Sequence, residues 1–282
     1  MKPLREFLET IRVEHTLFAL PFAYASLFIA ESGWPSPAHF LWVTLAMIGG
    51  RTVGMGANRI IDAEIDARNA RTAGRAIPAG RLSRPGAIAF TLVALAVFLA
   101  AVYQLHPVCR RLWPIVLAAM VAYPYAKRFT PLAHLFLGAV YLMVPTAVWL
   151  AVTGELPAVA LVLGVGAALW VAGFDVIYAC QDAETDRREG LHSIPADFGV
   201  GRALVTARWM HAGFLASLAV ASRLFDAGVW YHAAVALTAI ALVYEHRLVS
   251  PRDLSKVNAA FFTTNGFVSV ALFALIALDT VR

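Results

Sequence analysis

Apolar runs close to the ~20 residues that a helix needs to cross a hydrocarbon layer recur roughly every 30 residues along this 282-residue chain, and charged side chains collect between them. That alternation leaves few folds open. With 60% of residues apolar and 15% charged, a soluble protein of this length would lack the polar surface to cover itself, so lipid is its natural solvent. The expected fold class is all-α, a polytopic membrane protein forming one domain over residues 1–282.

At that span length, nine helices are expected, near 16–32, 38–60, 86–104, 112–126, 132–153, 157–181, 205–222, 228–247 and 257–279. Turn-favouring sequences separate them, among them Gly33-Trp34-Pro35-Ser36-Pro37, Ser83-Arg84-Pro85, Thr130-Pro131 and Gly154-Glu155-Leu156-Pro157. Lys2, Arg5, Glu6, Glu9, Arg12 and Glu14 precede the first span and no small-residue cleavage site follows it, so that span is expected to stay in the membrane. All but five of the 23 basic residues fall at the N-terminus and in the loops after the second, fourth, sixth and eighth helices; the five are Arg51, Arg110, Arg111, Arg223 and Arg282. By the positive-inside rule the N-terminus and those loops face the cytoplasm. Cys109 and Cys180 lie far apart, without a CxxC pair or a histidine at ligand spacing, so neither a disulfide framework nor a zinc site is indicated. The net charge of +5 comes with no nucleic-acid-binding motif, and it reads as topological.

Two acidic clusters carry the chemistry. At the end of the second helix, Asn58, Asp62 and Asp66 stand at i, i+4 and i+8, on one helix face. At the end of the sixth, Asp175 lies two turns from Asp182, with Tyr178 and Asp186 one turn to either side of Asp182. Carboxylates sharing a face repel one another, which calls for a compensating cation, and hard oxygen ligands in small number suit Mg²⁺ with further ligands from substrate phosphates. The bland alternative is that these acids face water or pair with neighbouring arginines. Basic segments follow each cluster: Arg68, Arg71 and Arg75 before Pro78 and Gly80, and Arg187, Arg188 and His192 before Ser193, Pro195 and Gly199. Lys127 and Arg128 occupy another loop on the same side. Each is a candidate diphosphate ligand or a topological charge, with Arg75 and Lys127 preferred as ligands. Arg51 sits two turns deeper than Asn58, where a cation is costly; it holds a substrate carboxylate, pairs with Asp175 or snorkels to the interface. Asp175 pairs with a cation, orients Tyr178 or acts as a base.

These segments, with R-T-A-G-R-A-I-P-A-G and Y-P-Y-A-K-R-F-T, resemble the UbiA superfamily of intramembrane aromatic prenyltransferases, especially the 4-hydroxybenzoate polyprenyltransferase branch, over nearly the whole chain. The family pattern N-D-x-x-D-x-x-x-D corresponds to Asn58, Arg59, Asp62 and Asp66, with Arg59 in place of an acid. The pattern D-x-x-Y-A-x-x-D-x-x-x-D is matched at Asp175, Tyr178, Ala179, Asp182 and Asp186, while His192 stands where the family carries a lysine. The resemblance implies Mg²⁺ held by Asn58, Asp62, Asp66, Asp182 and Asp186, catalytic roles for Arg51, Asp175 and Tyr178, and substrate contacts from Arg51, Arg71, Arg75, Lys127, Arg128, His192 and Ser193. It implies a polyprenyl diphosphate donor and an aromatic acid acceptor, 4-hydroxybenzoate or 1,4-dihydroxy-6-naphthoate. It also implies a central cavity open to the cytoplasmic side of a bacterial inner membrane, with Phe22, Tyr123, Tyr141 and Tyr178 as candidate shields for a carbocation. The N-terminal I-R-V-E-H-T-L-F-A-L-P-F-A-Y resembles enzymes that prenylate aromatic acids in quinone biosynthesis; Arg12, Glu14, His15 and Pro21 are either acceptor-pocket residues or, preferably, interfacial anchors.

Two other classes deserve comparison. A secondary transporter also sets carboxylates and arginines among helices, but it does not explain the duplicated ligand spacing at helix ends beside basic loops. A phosphoalcohol transferase would need a denser aspartate-glycine signature than this chain carries.

Overall fold

The structure, a computed structural model, describes residues 2–11 and 16–282, so the candidates Arg12, Glu14 and His15 lie outside the described residues. In chain order it comprises α1 (Lys2–Thr10), α2 (Thr16–Glu31), α3 (Pro37–Ile61), α4 (Ala63–Arg68), α5 (Arg84–Gln104), α6 (Cys109–Ala126) and α7 (Ala133–Val152). It continues with α8 (Ala158–Ala179), α9 (Ala183–Arg188), α10 (Ile194–Phe198), α11 (Val200–Ala221), α12 (Val229–Arg247), a π-helical turn (Ala259–Thr264) and α13 (Asn265–Thr280). Among the described residues, long helices occupy the nine apolar intervals. Of these, α3, α5, α7, α8, α11 and the continuous π-turn and α13 segment are long and apolar enough to cross a membrane. The helix expected from 205 instead begins at Val200, because Gly199, at φ +86°, turns the chain straight from α10 into α11.

Serine caps set several starts. Ser36 accepts from the His39 amide and Ser83 from the Gly86 amide, each with a proline in the first turn, which fixes where α3 and α5 begin. The N-terminal α1 was absent from the sequence expectation. Its Phe7, followed by Ile11, packs on Ala76, Leu82 and Ala87, and Glu6 pairs with Arg81 at 2.9 Å, so it lies across the segment that follows α4.

α8 is the hub. It buries 13 of its 22 residues, whereas α5 buries five of 21 and turns Leu92, Val93 and Val97 outward as an apolar face suited to lipid. The main core joins Val159, Leu163, Trp170 and Phe174 of α8 to Phe22 and Ile29 of α2 and to Phe214 and Leu218 of α11. Phe22 is thereby a core residue, stacked on Trp170 at 5.5 Å. Against its other neighbour, α8 packs through small residues: a Cβ on Gly138 of α7 would lie 2.7 Å from the Ala168 carbonyl oxygen, and one on Gly164 of α8 would lie 2.8 Å from that of Leu142. Two backbones meet there without side chains between them, which is how helices gain dispersion contacts when lipid offers no hydrophobic drive.

A polar network lies inside the bundle. Fully buried Asn265 accepts from the Trp170 indole at 3.0 Å and donates to Glu245 at 3.1 Å and to the Phe261 carbonyl at 3.1 Å. It thus ties the π-helical turn to α8 and α12, and that turn sets the Phe261 ring 4.3 Å from the Tyr178 ring.

The close α7–α8 contact predicts that Gly138→Val destabilises the protein by about 2 kcal/mol, within the usual cost of overpacking. Unfolding in detergent micelles checks this; an unchanged midpoint would contradict it.

Candidate active site

The two acidic motifs occupy matching joints. α3 ends at Ile61, and Asp62, with φ −92° and ψ 2°, links it to the short α4. α8 ends at Ala179, and Asp182, with φ −99° and ψ −3°, opens the short α9. The expected continuous helix face is therefore a broken helix. At the first joint the i→i+4 bonding persists, from the Asp62 amide to the Asn58 carbonyl at 2.9 Å and from the Asp66 amide to the Asp62 carbonyl at 2.8 Å; at the second it tightens to i→i+3, from the Asp182 amide to the Ala179 carbonyl at 2.9 Å, and resumes from the Asp186 amide to the Asp182 carbonyl at 2.7 Å.

Cations lock these joints together. Lys127 donates to Asp62 Oδ2 at 2.6 Å, and Arg128 approaches Oδ1 at 3.6 Å while donating to the Ile61 carbonyl. Arg75 reaches both oxygens of Asp66, at 2.7 and 2.6 Å. Arg71, from the segment after α4, crosses to the other joint: it holds Asp182 through Nε at 2.9 Å and through Nη2, donates to the Tyr178 hydroxyl at 3.1 Å and lies over the Tyr178 ring. Asn69 adds a 3.0 Å bond to Asp182, and Arg68 pairs with Glu189 at 3.0 Å. Burial opposes the Arg71 charge, but the hydrogen bond and charge of Asp182 outweigh it and raise the guanidinium above its ordinary value. Burial and the neighbouring Asp182 push the Asp186 carboxyl up, although Ser193 donates to it at 3.1 Å.

Except for Arg128, Arg68 and Glu189, which border a separate cleft, these groups line a cavity of about 560 Å³ between α3, α6, α7 and α8, so the candidate ligand Arg128 lies outside it. Away from the joints its walls turn apolar with Met47, Met120, Val144 and Leu150. Between the joints and that apolar end lie Arg51, Asp175, Tyr123 and Tyr141. Arg51 donates to the Ile11 carbonyl at 3.2 Å, and Asp175 pairs with His134 of α7 at 2.7 Å.

The cavity lining brings together Arg51, Asn58, Asp62, Asp66, Arg71, Arg75, Lys127, Asp175, Tyr178, Asp182, Asp186, His192 and Ser193. Several carry a second task. Asn58 donates to Asp62 at 3.1 Å while its carbonyl accepts from Arg59 at 3.2 Å, and Arg59 also donates to the Thr10 carbonyl, which fastens the N-terminal segment to α3. His192 pairs with Asp197 at 3.0 Å, and Ser193 caps α10. Arg187 donates to the Ala196 carbonyl at 2.9 Å, a bond within its own loop. Among the described residues, no three acidic, histidine or cysteine side chains converge as a ready-made metal cage. Sequence reasoning passed over Asn69, His134 and Phe261. Asn69 and Phe261 carry no charge, and His134 meets Asp175 only across 41 residues of chain.

Known proteins resemble this chain over most of its length. A model of the UbiA prenyltransferase family matches residues 19–269. A 4-hydroxybenzoate octaprenyltransferase of Pseudomonas fluorescens is 30% identical over 259 residues, which cover 90% of this chain and 85% of the relative. The apo structure of a UbiA homolog from Aeropyrum pernix K1 superposes with a TM-score of 0.81 at 31% identity, over 94% of this chain and 96% of that one. A UbiA homolog from Archaeoglobus fulgidus bound to GPP and Mg²⁺ shares the fold with a TM-score of 0.75 at 18% identity, over 98% and 99% of the two chains.

Asp62 has only 3% of its side chain exposed, so its stability depends on its cations. Lys127→Met is expected to destabilise the metal-free protein by about 3 kcal/mol, and adding Asp62→Asn should recover most of that loss, because removing one partner strands a buried charge. Unfolding of both variants checks this; an equal or larger loss in the double variant would contradict it.

Proposed function

The chain belongs to the UbiA prenyltransferase family, and on that premise we propose that it transfers a polyprenyl group from its diphosphate to the ring of an aromatic acid in quinone biosynthesis. 4-Hydroxybenzoate is the favoured acceptor and 1,4-dihydroxy-6-naphthoate the second. The observation that carries the reading is the pair of matching broken helices, whose four aspartates and their cations line one end of a cavity that turns apolar at the other. A diphosphate head fits the charged end, and a prenyl chain fits the apolar one.

The donor set fits Mg²⁺. Asp62, Asp66, Asp182 and Asp186 offer hard carboxylate oxygens, and Asp62 Oδ1 is buried without a hydrogen-bond partner. The Archaeoglobus fulgidus homolog with GPP and Mg²⁺ supports the same assignment. Asp62, Asp66, Asp182 and Asp186 would hold the ion, which would supply positive charge against the negative charge developing on the leaving diphosphate.

Arg71, Arg75 and Lys127 then exchange partners: they release their aspartates and turn to the diphosphate oxygens, where guanidinium forks suit bidentate contact. The allylic C–O bond breaks with its electron pair on the diphosphate. Tyr178, beside Arg71 and under Phe261, shields the cationic carbon. The apolar walls exclude water until the ring carbon ortho to the phenolic oxygen attacks. Arg51, one layer deeper, receives the acceptor carboxylate. The excess of basic residues in the loops beside both joints supports a cytoplasmic placement for them in a bacterial inner membrane, with nine crossings and a cytoplasmic N-terminus.

Purified protein given a prenyl diphosphate and either acid should release diphosphate only with Mg²⁺ and yield the prenylated acid by mass. Asp62→Ala or Asp182→Ala should lower that rate roughly 10²–10³-fold, as for other losses of electrostatic stabilisation. Unchanged activity in both variants would sink the reading.

A further inference from the structure

The pairing of His134 with Asp175 uses only half of the imidazole. Nδ1 lies 2.7 Å from Asp175 Oδ2, whereas Nε2 is buried with no hydrogen-bond partner among the described residues. Buried polar atoms are nearly always satisfied, so an orphan in a cavity wall calls for a ligand. Both side chains line the cavity, and only 6% of the His134 side chain is exposed. A neutral ring that donates from Nδ1–H to the carboxylate is fixed in one tautomer, with the Nε2 lone pair free to accept a proton. That is the logic by which a carboxylate orients a histidine base.

Depth along the bundle places this pair. Asp175, on α8, is seven residues before Asp182, about 10 Å of helical rise, and Arg51, on α3, is eleven before Asp62, about 16 Å, so both stand deeper than the diphosphate-binding joints. Arg51 and Asp175 are both within electrostatic range of Tyr141. The cavity beyond the joints thus holds a cation for the acceptor's carboxylate and an oriented imidazole for its hydroxyl.

We infer that His134 Nε2 accepts the phenolic proton of the aromatic acid, and that Asp175 acts as the positioning residue rather than as the base itself. The inference rests on the prenyltransferase reading. As the allylic C–O bond breaks, the O–H bond electrons stay on the phenolic oxygen, and the ring carbon ortho to it forms the new C–C bond. The resulting dienone regains aromaticity when its ring C–H proton leaves to the released diphosphate and the proton on His134 returns to the oxygen. One proton is released overall for each prenyl group transferred.

The test compares wild type, His134→Gln and Asp175→Asn with 4-hydroxybenzoate and with its fluorinated, more acidic analogues. His134→Gln keeps a donor for Asp175 but has no basic nitrogen. It should leave KM for the prenyl diphosphate within threefold and lower kcat about 10²-fold or more, the range of lost general-base catalysis. The loss should shrink as the phenol becomes more acidic or the pH rises, because solvent then supplies the phenolate. Asp175→Asn, which disturbs the tautomer and not the base, should show the same dependence with a smaller loss. A His134→Gln variant within threefold of wild type, or a loss equal for all acceptors, overturns the inference and leaves the prenyltransferase reading standing. If His134→Gln does not fold, a loss in Asp175→Asn that is independent of acceptor acidity overturns it. Wild-type protein inert towards every aromatic acid removes both.

Discussion

A carboxylate taken into the rim of an apolar bundle costs several kcal/mol unless a cation and hydrogen bonds repay its lost hydration. Asp62, Asp66 and Asp182 are placed under that constraint, and the structure answers it with Lys127, Arg75 and Arg71. Because Arg71 starts after one joint and ends on the other, the answer is also a tie between them. Pairs of this kind hold only when both charges are present, so the site is poised for exchange: a diphosphate offers the cations new anions, and a divalent metal offers the carboxylates a new cation.

The surrounding fold serves that arrangement. Breaking α3 at Asp62 and α8 beside Asp182 ends two long apolar helices in short polar ones and sets the acids at the cavity's charged end. The glycine contact between α7 and α8 brings His134 onto Asp175, and Asn265 steadies the π-helical turn that seats Phe261 on Tyr178. Those features divide between a charged layer at the joints and the cavity beyond them, which holds Arg51, Asp175 and His134.

Much of this was legible in the sequence because lipid enforces it. A helix buried in hydrocarbon must be apolar along its length, so the long helices could be read from composition alone. The acids were legible because their spacing repeats. What lay beyond reach was long-range pairing. Nothing in the local pattern directs Arg71 to Asp182 rather than to an acid of its own motif, or Asp175 to His134 rather than to Arg51, since both depend on how helices cross. The short α1 is hidden in the sequence because its nine residues carry four charged side chains and fall well short of a membrane span. The helix breaks were hidden too, because the acids keep their spacing on either side of them.

The central claim is that the two joints bind the diphosphate through a divalent cation shared by their carboxylates. Calorimetric titration of the micelle-embedded protein with a non-reactive prenyl thiodiphosphate, with Mg²⁺ and then with chelator, tests it most directly. The account predicts affinity at least tenfold higher with Mg²⁺; equal affinity under both conditions would contradict it.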